Sequence, residues 1–95
     1  MPERFRKNLR WLMCDRNIGA TQLSRIIQPN GTPGQVEAYR RRIARYMNGN
    51  SVFIGLHNIN HIAAALNIPD KDLVYATYEE LRDSHGQQQH NGSIA

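Results

Sequence analysis

Acidic residues are scarce in the first half of this chain. Residues 1–50 carry ten lysines and arginines (4, 6, 7, 10, 16, 25, 40, 41, 42 and 45) against three acids (Glu3, Asp15 and Glu37), a net of +7. Residues 51–95 carry two basic residues against five acids, a net of −3, so the overall +4 belongs to one half. Such polarisation points to a polyanionic partner. Cysteine is almost missing as well: Cys14 alone excludes an intramolecular disulfide framework and suits a reducing compartment. No apolar run approaches the roughly 18 residues of a membrane span. The start, "MPERFRKNLR", lacks the apolar stretch of a secretory signal. A chain of 95 residues has no room for a second core. The expectation is one small, soluble, cytoplasmic domain with no membrane partner.

Period-two alternation is also absent; every apolar pattern has the helical period. Helix one spans about Pro2 to Arg16, with Phe5, Leu9, Leu12 and Met13 on one face. A short helix two runs from Ala20 to Gln28, burying Leu23, Ile26 and Ile27. Pro29 and the Asn30-Gly31 pair break it. Thr32 is a good N-cap, Pro33 fits the first helical position, and Gln35 stands where a capping box wants Glu or Gln. Helix three then runs to about Asn48, stopped by Gly49, with Val36, Tyr39, Ile43, Tyr46 and Met47 as its apolar stripe. Helix four, about Ile54 to Asn67, turns Leu56, Ile59, Ile62, Ala63 and Leu66 inward. A fifth helix carries Leu73, Val74, Tyr78 and Leu81, with a possible break near Thr77. The predicted fold is a compact all-α domain over residues 1–84, followed by a polar, disordered tail at 85–95.

The stretch "YRRRIARYMNGN" (39–50) concentrates the positive charge. On a wheel of about 100° per residue, Tyr39, Ile43 and Met47 fall within about 60° of Val36 and pack. Arg41, Arg42 and Arg45 point away, together with Gly34 and Ala38, and Arg40 lies on the flank. A charge run is usually a solvated face. Here all four cations are arginine, whose planar fork matches phosphate and guanine, and Glu37 is the only acid in the helix. Small neighbours leave room for close approach. A helix made only for solubility would mix signs.

The series Leu9-Arg10-x-Leu12, Ile18, Leu23-Ser24, Ile43-x-Arg45-Tyr46-x-Asn48-Gly49, Leu56-x-x-Ile59-x-x-Ile62-Ala63-x-Ala65-Leu66-x-Ile68 and Asp72-Leu73 resembles the lambda-repressor-like (Cro-type) helix-turn-helix family. The likeness covers residues 4–74, and its specificity lies in the order of spacings. It implies a five-helix domain whose third helix enters the major groove of double-stranded DNA. By that likeness Arg40, Arg41 and Arg45 are base readers, and Arg42 touches phosphate. Asn48 to Ser51, including Asn50, and the start of helix two at Ala20 are further backbone contacts. It implies a homodimeric regulator of the phage or plasmid control type, reading a palindromic operator with half-sites ~34 Å apart.

Three departures stand out. Ala20 replaces the phosphate-contacting Gln common in the family, leaving only backbone amides there. Met13 and Met47 stand where many members pair Arg with Glu, so a Met–Met contact is expected. The link between helices two and three is about nine residues longer. The capping residues favour a helix three that starts two turns early, adding Gln35 as a base contact. The alternative is an irregular 28–38 segment with the helix beginning near Tyr39.

No catalytic constellation is present, and no cofactor is expected. His57 and His61 have chelating i, i+4 spacing, but two ligands do not make a metal site. Cys14 has no evident base. Trp11 points away from the buried face of helix one, as a contact for a protein partner or as a surface covered by the C-terminal helix. Tyr75, Tyr78 and Leu81 are core residues or a dimer surface. The competing function is an antitoxin-like module that binds a protein as well as DNA. Non-specific nucleic-acid binding is weaker, lacking an aromatic stacking platform.

Overall fold

The computed structural model describes residues 2–49 and 53–86. Every regular element among them is an α-helix: α1 (Pro2–Asp15), α2 (Ala20–Ile27), α3 (Pro33–Asn48), α4 (Leu56–Leu66), α5 (Asp70–Tyr75) and α6 (Tyr78–His85). The expected fifth helix is two. Ala76 is extended (φ −62°, ψ 142°), and Thr77 opens a new helix. Its hydroxyl accepts from the Glu80 N–H at 3.2 Å while the Glu80 carboxylate accepts from the Thr77 N–H at 2.9 Å. That reciprocal cap satisfies two amides that a continuous helix would have bonded internally.

The same device starts α3. Thr32 Oγ1 accepts from the Gln35 N–H at 3.2 Å, and Gln35 Oε1 accepts from the Thr32 N–H at 2.8 Å. The long form of this helix is therefore the one adopted, and only residues 28–32 link it to α2. Its end is set by Gly49, left-handed at φ 74°. A Cβ there would also stand 3.1 Å from Arg6 Cδ, so α1 comes close because the residue is glycine. α1 and α4 stop by a different residue in the same conformation. Asn17 and Asn67 are left-handed (φ 55° and 58°), and the next amides, Ile18 and Ile68, reach back to the carbonyls of Met13 and Ala63 at 2.9 and 3.0 Å.

The core joins Phe5, Leu9, Leu12 and Met13 to Leu23, Ile43, Ile62, Leu66, Leu73 and Leu81. Each large side chain buried this way contributes about 1.5–3 kcal/mol. α2 packs on α3 and α4, while α1 packs on α3 and α5. The buried Ser24 hydroxyl donates to the Val36 carbonyl at 2.6 Å, fixing α2 against the first turns of α3. Asn8, 2% exposed, donates from Nδ2 to the carbonyls of Asp72 (3.3 Å), Leu73 (3.0 Å) and Ala76 (3.0 Å). The Asp72 carbonyl also accepts from the Ala76 N–H at 3.1 Å, and the Leu73 and Ala76 carbonyls lie at the end of α5, so a side chain from α1 finishes the helix that breaks.

Some inward assignments do not hold. Leu56 is 70% exposed because α4 begins at that residue and its side chain sits at the rim. Ile26 is 49% exposed; Leu23 takes the buried position of α2, and Ile26 only borders a hollow of about 270 Å³ with Ile27 and His61. Tyr78 is half exposed, and Leu81 alone anchors α6 in the core. Met13 and Met47 line one hollow with Arg10 and Ile18, with no ion pair between the two helices at that place. His85 is the last residue of α6 and bonds to Asp72 at 2.9 Å; residues 87–95 of the expected tail lie outside the described residues. No helix is long and apolar enough to cross a membrane among the described residues.

Candidate nucleic-acid interface

Tyr39, Ile43 and Tyr46 fasten one side of α3 to the core, and Phe5 meets the Tyr46 ring edge-on at 5.8 Å. What remains outward is Gly34, Gln35, Ala38, Arg41, Arg45 and Asn48, all exposed. The four arginines of this helix have three different environments. The Arg45 side chain is free, with no hydrogen bond or ion pair among the described residues. Arg40 and Arg41 share Glu37. Arg42 is tied to α4.

Glu37 receives Arg40 side-on, from Nε to Oε1 and from Nη2 to Oε2, both at 2.8 Å. Arg41 reaches Oε2 through Nε alone, at 3.1 Å. The Arg40 hydrogen bonds, followed by those of Arg41, hold the Glu37 carboxyl down at about 2 against an ordinary 4.5. The same contact raises the Arg40 guanidinium above its ordinary value. Arg41 remains two-thirds exposed beyond the pair.

Arg42 belongs to a different network. Its Nη1 donates to Asn58 Oδ1 at 3.3 Å, and its guanidinium lies 5.2 Å from the Tyr39 ring centre, within cation–π range. The Tyr39 hydroxyl donates to the same Oδ1 at 3.3 Å, and Asn58 Nδ2 donates to the Tyr46 hydroxyl at 3.1 Å. Burial, then the neighbouring Tyr46, pushes the Tyr39 phenol above its ordinary value, while Arg42 pulls it back. Tyr39 therefore stays a neutral donor. Asn58 is 8% exposed, so the chain α4–Asn58–Arg42 is a sheltered tether.

The other candidates fall around this face unequally. Gln35 is exposed, but its amide oxygen is committed to the cap of α3, leaving the NH₂ group. Ala20 is the first residue of α2, behind Gly19, which provides no side-chain cap. Asn48 closes α3, whereas Asn50 and Ser51 lie outside the described residues. Trp11 is half-buried, met edge-on by Tyr78 at 5.8 Å, so α6 covers part of it. His57 and His61 stack edge to face on the exposed side of α4. No group of three His, Cys, Asp or Glu that could hold a metal occurs among the described residues.

Sequence reasoning missed Asn58, and a signal for it existed. Asn58 falls at i and Ile62 and Leu66 at i+4 and i+8, so the asparagine stands on the inward stripe of α4. A polar residue there must find a partner. Compared with protein-family models, with curated proteins and with solved structures, the chain matches none.

Proposed function

We propose that this chain is a sequence-specific double-stranded DNA-binding regulator of the lambda-repressor-like helix-turn-helix type. It acts as a homodimer on a palindromic operator, most simply as a repressor that occludes a promoter. One observation carries the reading: α3 is anchored on one side and presents exposed Arg41 and Arg45 on the other, with Arg42 held from behind by Asn58. Exposed arginine forks can take the paired acceptors of guanine, and a tethered arginine at the edge of the face suits phosphate, which fixes register. Phe53 and Leu56, 80% and 70% exposed at the start of α4, are apolar surface of the kind a two-fold contact covers.

Selection from a random duplex library, followed by titration against random competitor, tests this. Paired half-sites centred about 10 base pairs apart support it. Recovery of no enriched sequence at any salt concentration sinks it. A second reading, an antitoxin-like module with a protein partner, draws on Tyr75 and Tyr78, 69% and 50% exposed on the acidic α5–α6 end. A basic protein that co-purifies in fixed ratio and binds through those tyrosines favours that reading.

A further inference from the structure

We infer that Glu37 positions Arg41 to read a guanine in the target duplex and restrains α3 from gripping phosphate regardless of sequence. The inference rests on the DNA-binding reading above and concerns how that same face discriminates.

The geometry divides two neighbouring arginines. Arg40 gives Glu37 its side-on pair, Nε and Nη2, so that fork is occupied before any ligand arrives. Arg41 gives only Nε. Its Nη1 and Nη2, the end-on pair, make no hydrogen bond or ion pair among the described residues. A guanine edge offers two neutral acceptors, O6 and N7, spaced for such a pair. Glu37 fixes the near side of the Arg41 guanidinium, so less side-chain freedom is lost when the far side binds.

The carboxylate also acts by its sign. It stands on the exposed side of α3 within hydrogen-bonding distance of two cations, and its low pKa keeps it charged at any physiological pH. A phosphate approaching Arg40 or Arg41 must displace this anion or lie beside it. A guanine acceptor carries no net charge and meets no such repulsion. One side chain therefore weakens attraction to arbitrary backbone while leaving the end-on fork of Arg41 available. In the rest of α3 nothing balances Arg42 or Arg45 in the same way, since Glu37 is its only acid.

The test uses the full chain and a duplex obtained by selection with the unsubstituted protein. Arg41→Ala first locates the base pair that Arg41 reads, which is expected to be G·C. Anisotropy titrations then compare Glu37→Ala and Glu37→Gln on three duplexes: the selected one, one altered at that pair, and a random one. For Glu37→Ala the preference at that pair falls at least about fivefold, the low end of what one oriented bidentate contact discriminates. Random-duplex affinity rises, and its salt slope steepens by about 0.9 for each arginine released. Glu37→Gln, which keeps an acceptor oxygen without charge, shows the same rise on random duplex and retains more of the base preference. Circular dichroism confirms that both variants remain helical. A preference at the Arg41 position for a base other than guanine overturns the inference. So does a Glu37→Ala protein with unchanged preference and slope, or one weakened equally on all three duplexes. If the unsubstituted protein selects no duplex at all, the DNA-binding reading fails, and the inference with it.

Discussion

Two asparagines are buried among the described residues, and they do different work. Asn8, between α1 and α5, gives both amide hydrogens to backbone carbonyls and finishes a helix end. Asn58, between α3 and α4, joins three side chains: two tyrosine hydroxyls and the Arg42 guanidinium. Each lies on the inward stripe of its helix, and each is satisfied. The difference is in what the partners can do afterwards. Carbonyls at a helix end have no further role, so Asn8 serves the fold alone. Arg42 is half-exposed and keeps free donors, so Asn58 extends the core's rigidity to a surface cation.

Substitutions separate the two roles, beginning with the largest effect. Asn8→Ala leaves buried carbonyls without a donor and lowers unfolding free energy by roughly 2–3 kcal/mol in urea titrations. The base preference of the remaining folded protein should not change; a change would break the contrast. Arg41→Ala or Arg45→Ala should leave stability nearly unaltered and reduce discrimination between selected and random duplex by ~1–3 kcal/mol. Equal losses on both duplexes would remove the distinction between the outward arginines and the one tethered to α4.

Asn58→Ala should lower stability by about 1 kcal/mol and weaken binding to every duplex, as Arg42→Ala does. Arg42→Ala should also flatten the salt slope by about 0.9. Combining Asn58→Ala with Arg42→Ala should cause less than the sum of the two losses, since the second change removes a contact already gone. Strict additivity would mean that Asn58 does not act through Arg42. The smallest effect concerns pH. Glu37 is depressed from 4.5 to about 2 on folding, so its ion pair is complete above pH 4.5 and is lost as pH falls through about 2. The difference in duplex binding between Glu37→Gln and the unsubstituted chain should therefore be flat from about pH 5 to 9; a slope within that window would point to another titrating group.

Much of the fold is legible in the sequence. Thr32, Pro33, Gln35 and Gly49 marked both ends of α3, because caps are local chemistry between residues a few positions apart. Phe5, Leu9, Leu12 and Met13 marked the buried side of α1 for the same reason, through the helical period. Leu56 and Ile26 misled, because periodicity assigns a side of the helix without saying whether a neighbour covers that side at its end. The candidate interface was legible as a set of arginines and hardly at all as an arrangement. Arg42 pointed away from Val36 on the wheel, yet it leans onto Tyr39 of its own helix and onto Asn58, whose position depends on how α4 packs.

The sequence by itself determined the helical character of the chain, both ends of α3, the concentration of positive charge on that helix, and the side of it that packs. All follow from interactions within a few residues or from the helical period. Within α3, Glu37 clamps Arg40 and Arg41 from three and four residues away, whereas tertiary structure decided that Arg42 is tethered, to Asn58 of α4. It also decided that α5 can end where it does, because Asn8 supplies its donors from 64 to 68 residues away. A long, flexible side chain has many rotamers, and at Arg42 the neighbours that select among them include one brought in from another helix.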